Sequence, residues 1–276
     1  GLMLGLAIFT TGLIAIAILV TYPKLPPLDS LQHYQPKMPL TIYSADGQII
    51  GVYGEQRREF TKINDFPDIL KNAVIAAEDK RFYEHWGVDV WGIARAAISN
   101  IVAGGVQSGA STITQQVAKN FYLSSERTFT RKFNEALLAY KIEQSLSKDK
   151  ILELYFNQIY LGQRAYGFAS AAQIYFNKNV KDLTLAEAAM LAGLPKAPSA
   201  YNPIVNPERA KLRQTYILNN MLEEGMITSQ QRDDALKEEL HYERFVQKID
   251  QNALYVAEMV RQELYEKYGE EAYTQG

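Results

Sequence analysis

Glu78 and Asp79 are adjacent carboxylates closing an apolar run, Ala73-Val74-Ile75-Ala76-Ala77, that reads as a helix entering a core. Charges at the inner end of such a helix cost free energy unless they are paired or used. A carboxylate held away from water is also what a general base needs near neutral pH. The plain alternative is a helix end carrying a solvated acidic pair. A second cluster is cationic. Arg127, Arg131 and Glu135 recur every four residues, with Lys132 beside them and Lys119 at the end of the preceding helical stretch. Residues four apart share one helix face. Arginine forks match phosphate oxygens, so this face suits a phosphate with one carboxylate held inside it. Its plain alternative is a solvated pair contributing about 0.3 kcal/mol. A third stretch, Gly109-Ala110-Ser111-Thr112-Ile113-Thr114-Gln115-Gln116, is dense in hydroxyls and amides. At a helix start these suit an anion, or simply cap the helix. No Lys follows the glycine, so the stretch is not a nucleotide-binding loop.

The elements that must position these groups are almost all helical in pattern. Leu40–Tyr43 and Gln48–Tyr53 alternate around Asp46-Gly47, which predicts one β-hairpin. Helices are expected over Asp68–Lys80, Val90–Ala103 with Asp89 as cap, Ser111 or Thr112 to Asn120, Ser125–Leu146, Ser147–Tyr160, Gly167–Phe176, Leu185–Leu194, Pro207–Glu224, Thr228–Leu240 and Asn252–Tyr268. Thr184-Leu185-Ala186-Glu187 and Thr228-Ser229-Gln230-Gln231 read as capping boxes. Gly104–Gly109 breaks the pattern as a mobile loop. Val90–Val106 carries only Arg95 as a charge and is expected to touch a bilayer.

The ends differ in kind. Gly1–Tyr22 holds no charged residue, and a bilayer core needs about 20 apolar residues of helix. A transmembrane anchor is therefore expected over 1–22, followed by a proline-rich stalk over 23–39. With 29 Lys plus Arg against 31 Asp plus Glu, net charge implies no nucleic-acid partner. No cysteine is present, which excludes disulfides and thiolate zinc sites. His33, His85 and His241 are scattered outside any zinc spacing, and His85 reads as a structural hydrogen-bonding residue. Ser145-Leu146-Ser147-Lys148 matches the Ser-x-x-Lys of penicillin-reactive enzymes, but its companions Ser-x-Asn and Lys-Thr-Gly are missing.

Taken in order, the motifs resemble the glycosyltransferase half of bifunctional class A penicillin-binding proteins, glycosyltransferase family 51. Glu78-Asp79-x-x-Phe82-x-x-His85-x-Gly87 is similar to the first motif, and Gly109-x-Ser111-Thr112-Ile113-Thr114-Gln115-Gln116 to the second. Arg131-Lys132-x-x-Glu135-x-x-x-Ala139-x-x-x-Glu143 resembles the third. Lys148-x-x-Ile151-Leu152-x-x-Tyr155-Phe156-Asn157-x-x-Tyr160-x-Gly162, continuing through Gly167, Ala171, Tyr175 and Phe176, resembles the fourth; Phe156 stands where Leu is expected. Pro195–Pro203 closes the fifth.

The resemblance implies a mainly α fold, with a lysozyme-like helical head lobe and a smaller membrane-proximal jaw. The glycosyltransferase domain would span 40–241, and 242–276 would start a linker toward a transpeptidase domain outside this chain. It implies polymerisation of lipid II into β-1,4-linked glycan with inversion and release of undecaprenyl pyrophosphate. Glu78 would be the general base, and Glu135 a second catalytic carboxylate orienting the cations or the substrate. Asp79, Ser111, Thr112, Gln115, Gln116, Lys119, Arg127, Arg131 and Lys132 would bind substrate. No cofactor is certain; a divalent cation, Mg or Mn, near Glu78 and Asp79 is left open. Lipid II, the growing glycan strand and cell-wall synthesis proteins are the implied partners. The place would be a bacterial inner membrane, crossed once, with the catalytic domain on the periplasmic side. A monofunctional glycosyltransferase shares every motif but should end near Leu240. A lysozyme-like hydrolase would also use a glutamate in a helical lobe. It has no pyrophosphate to neutralise, so the basic cluster discriminates against it. A membrane-anchored scaffold without chemistry is opposed by the intact Glu78 and Glu135.

Overall fold

The computed structural model describes residues 2–34, 36, 39–54, 57–102, 111–123, 128–242 and 253–273. In chain order the elements are α1 (Leu2–Thr21), α2 (Asp29–Gln32), β1 (Leu40–Tyr43), β2 (Ile49–Tyr53), β3 (Arg57–Arg58), α3 (Asp68–Glu78), α4 (Val90–Val102), α5 (Ile113–Tyr122), α6 (Phe129–Ser145), α7 (Lys148–Gln158), β4 (Ala165–Tyr166), α8 (Phe168–Phe176), α9 (Leu185–Ala192), α10 (Pro207–Glu223), α11 (Ser229–Lys237) and α12 (Leu254–Tyr268). They form two compact units, each built from two stretches of chain: Gly1–Tyr34 with Arg81–Leu152, and Gln35–Lys80 with Glu153–Gly276.

In the first unit α5 packs along α6. Thr112 starts α5 in extended backbone, and its hydroxyl and the Gln115 side chain close a reciprocal capping box. Thr128 is the N-cap of α6, its Oγ1 accepting from Arg131 N. The helix expected from Ser125 therefore starts later, because Thr128 is held extended by its cap; residues 124–127 and the glycine loop Gly104–Gly109 lie outside the described set. The expected stalk is partly folded onto this unit. Leu28 and Leu31 are buried, the Tyr34 ring meets Phe121 edge-on at 5.0 Å, and Lys141 Nζ donates to Pro26 O at 2.9 Å. Two buried leucines outweigh the prolines' preference for an extended, solvated chain. Among the described residues no helix is long and apolar enough to cross a membrane, so the anchor expected over 1–22 is not confirmed.

The second unit holds the deeper core. α3 packs on α9 and α10, and α8 is buried along its whole apolar length. The capping box predicted at Thr184 forms with Glu187, as does the one at Thr228 with Gln231. The hairpin pairs antiparallel from Leu40↔Tyr53 to Tyr43↔Ile49, with a bulge after Ile42. Gly47 turns it at φ 81°. A two-stranded hairpin is marginal alone, and here α12 covers it: Ala257 joins Leu40 and Ile42 in one small core. Gly51 permits that approach, since a Cβ there would lie 2.9 Å from Ala257 Cβ. The parallel pairing of β3 with β4 was not foreseen. The helix expected to reach Leu240 stops at Lys237.

Candidate active site

In the second unit, α3 delivers Glu78 as its last residue, with Asp79 as C-cap. The last carbonyls of a helix lack partners within it. Here α10 supplies two: Arg213 Nη2 donates to Ala77 O at 3.4 Å, and Asn220 Nδ2 to Ala76 O at 3.1 Å. The same Arg213 Nη2 stands 3.5 Å from Glu78 Oε1, the two side chains being 8% and 11% exposed. The guanidinium also lies 4.9 Å from the centre of the Tyr216 ring. Asp79 is buried too. The solvated acidic pair is thus excluded. Arg213 was missed by the sequence reading.

Tyr155, on α7, faces this group. Burial, then the charges of Glu78 and Asp79, push its phenol well above the ordinary value of 10.0, while Arg213 pulls it down. Its proton is retained where an unfolded tyrosine would ionise, so the folded state binds that proton more tightly. The associated stability is fully present below pH 10 and is lost as pH rises beyond it. Tyr155→Phe is expected to melt close to wild type at pH 8 and to lose less stability than wild type between pH 10 and 11. Melting curves across that range check this; parallel declines would contradict it.

In the first unit the cationic face is built on α6. Glu135 is 2% exposed. Its Oε2 accepts from Arg131 Nη1 at 2.5 Å and its Oε1 from Lys132 Nζ. Lys132 Nζ also donates to Ser111 Oγ at 2.8 Å. Two cations on one carboxylate leave a surplus positive charge fixed in place. Arg131 Nε is buried without a hydrogen-bond partner among the described residues. Such a donor costs about 1–3 kcal/mol, which a ligand oxygen would offset. Lys119 is exposed at the end of α5, Gln116 is half-buried, and Arg127 lies outside the described residues.

Thr112 and Gln115 open α5. Both are buried, and beyond their mutual cap the Thr112 hydroxyl donates to Gly87 O at 2.6 Å. They fix the start of α5 and the loop before α4. Gly87 itself sits at φ 95°, and a Cβ there would lie 2.7 Å from the Ala139 carbonyl carbon and oxygen. Gly87→Ala therefore meets both backbone strain and a rigid helix backbone, and should cost about 3 kcal/mol in denaturant unfolding. A loss under half of that would show that the loop can shift away.

The sequence reading also passed over a buried network. Glu143 Oε1 accepts from Thr114 Oγ1 at 2.6 Å and from Lys148 Nζ at 2.7 Å. Lys148 Nζ donates to His85 O at 2.8 Å and sits 4.6 Å from the centre of the Phe82 ring. This ties the Phe82–Gly87 loop to α5, α6 and α7. His85 has the expected structural role, its Nδ1 accepting from Gly87 N at 3.1 Å. Among the described residues no three acidic or imidazole side chains converge where a metal ion could sit.

The transglycosylase family model matches residues 46–222. Penicillin-binding protein 1A of Neisseria cinerea is 89% identical over 276 residues, which is all of this chain and 35% of that protein. The protein of the same name from Pseudomonas aeruginosa is 50% identical over 260 residues, 94% of this chain and 32% of its own length. A crystal structure of penicillin-binding protein 1A from Haemophilus influenzae superposes with a TM-score of 0.50 at 34% identity, covering 87% of this chain and 26% of that one. The chain thus spans about a third of the length of the curated relatives it matches. The family model runs from the hairpin turn through α3, α6 and α10, the elements that carry Glu78, Glu135 and Arg213, and the chain belongs to the transglycosylase family.

Proposed function

We propose that this chain is a peptidoglycan glycosyltransferase that extends a glycan strand from lipid II. The observation that carries the reading is the buried Glu135 bracketed by Arg131 and Lys132. A pyrophosphate leaving group develops charge in the transition state, and fixed donors there contribute more than solvated ones. Glu78 would take the proton from the attacking 4-hydroxyl of lipid II, a poor nucleophile without a base. Displacement by that oxygen would invert the anomeric carbon, form the β-1,4 bond and release undecaprenyl pyrophosphate. Ser111, Thr112, Gln115 and Gln116 are candidate contacts to sugar or phosphate oxygens. Glu78 and Asp79 alone make a poor cage for Mg or Mn, so no step is routed through a metal. Incubating the chain with labelled lipid II tests the reading: glycan polymer is expected. Cleavage of preformed glycan without polymer formation would instead favour the lysozyme-like hydrolase.

Membrane attachment belongs to the same proposal. The uncharged stretch from Gly1 to Tyr22 would anchor the chain in a bacterial inner membrane, with the catalytic residues on the periplasmic side. α4 adds an exposed apolar face of Val90, Trp91, Ile98 and Ile101, of the kind that lies at a bilayer surface. The two compact units would correspond to head and jaw. Cell-wall synthesis proteins are a partner class that would fit this activity.

A further inference from the structure

We propose that Arg213 is a positioning residue for the reaction, holding the Glu78 carboxylate in the orientation from which it accepts a proton. The inference rests on the reading of Glu78 as the base. Glu78 closes α3, where the helix dipole presents its negative end and nothing within the helix fixes the last carbonyls. One guanidinium answers both problems. Its Nη2 donates to Ala77 O, the carbonyl just before Glu78, and pairs with Glu78 Oε1 at 3.5 Å. The Tyr216 ring on one side, with Tyr201 at 5.8 Å, limits where the fork can turn. Gly193 leaves room for its stem, since a Cβ there would lie 2.9 Å from Arg213 Cγ.

Two details favour positioning over simple stabilisation. The same Nη2 reaches both the carbonyl before Glu78 and the Glu78 carboxylate, so Arg213 ties the side chain's direction to the end of α3. Arg213 Nε is buried without a hydrogen-bond partner among the described residues, which an arginine kept only for stability would not need to tolerate. Titratable groups near Glu78 include Asp79 beside it, Tyr155 from α7 and Arg213 from α10. Glu187, the single ionisable residue of α9, is engaged by Lys178 at 2.8 Å. Arg213 is a cation in contact with this group, and removing it takes positive charge away from Glu78.

The test is the pH–rate profile of lipid II polymerisation for Arg213→Gln and Arg213→Lys, beside melting curves and Glu78→Gln. Arg213→Gln should lower kcat by about 100-fold, the penalty of a misplaced base. It should also move the acid limb of the profile upward by about one pH unit, because a nearby cation favours the ionised carboxylate. Arg213→Lys should keep the acid limb in place while kcat falls with KM unchanged, since the charge remains and the fork is lost. An acid limb in Arg213→Gln that coincides with wild type overturns the inference. Should Arg213→Gln fail to fold, Arg213→Lys decides alone, and an unchanged kcat overturns it. Glu78→Gln separates the two levels: turnover in that variant removes the base assignment itself, whereas a dead Glu78→Gln with an unmoved Arg213 profile removes only the role of Arg213.

Discussion

Glu78→Gln is expected to lower the rate of lipid II polymerisation by about 100- to 10,000-fold, the range a positioned general base contributes. The amide keeps the shape of the side chain and loses the ability to accept the proton. The fold should stay intact. Breaking a buried ion pair can cost about 3–5 kcal/mol when the remaining charge is stranded. Here Arg213 keeps the Ala77 carbonyl and the face of Tyr216. The substitution also removes one of two adjacent negative charges, which eases the crowding at Asp79 and Tyr155. A loss of about 1–3 kcal/mol is expected, below the full cost of a stranded charge. Rates measured well below the melting temperature, with melting curves alongside, keep the two effects apart. A folded variant that polymerises at close to the wild-type rate ends the base assignment.

What was legible in the sequence was local. Capping boxes at Thr184 and Thr228, the Asp46-Gly47 turn and the apolar run into Glu78 all act within a few residues, and each formed. The plain readings of both charged clusters failed for one reason: spacing reports which residues share a face, not whether that face is covered. Glu135 looked like half of a surface pair and is buried between two cations. Arg213 sits among Glu208, Arg209 and Lys211, so charge alone marks the segment as solvated. Yet a signal was present. Ala210, Arg213, Gln214, Ile217 and Met221 follow the spacing of a buried helical stripe, and an arginine on such a stripe needs a partner. That its partners are Ala77 and Glu78 could not be read locally, because packing of α10 on α3 joins distant parts of the chain. The β3–β4 pairing was hidden likewise: two residues a side carry no alternation.

The cationic face of α6 supports the other large effect. Arg131→Ala should slow polymerisation by about 100-fold or more, the typical loss when a fixed donor to developing charge is removed. Glu135→Gln should impair turnover as well. Its carboxylate draws Arg131 and Lys132 together, and without it two like charges separate. Because Glu135 is buried, these variants are not silent in stability. Each is expected to lose about 1–3 kcal/mol, as charged hydrogen bonds do when one partner goes. That loss gives the discriminating measurement. If the pair only stabilised the fold, rates taken well below the melting temperature would return to wild type, because nearly all molecules are then folded. If the face binds pyrophosphate, the rate deficit persists at every temperature. Arg131→Lys should recover much of the stability and only part of the rate, since a point charge cannot reproduce a two-pronged contact with phosphate oxygens. Deficits that vanish on cooling in both Arg131→Ala and Glu135→Gln would return this face to a structural role and leave the leaving group without its expected cations.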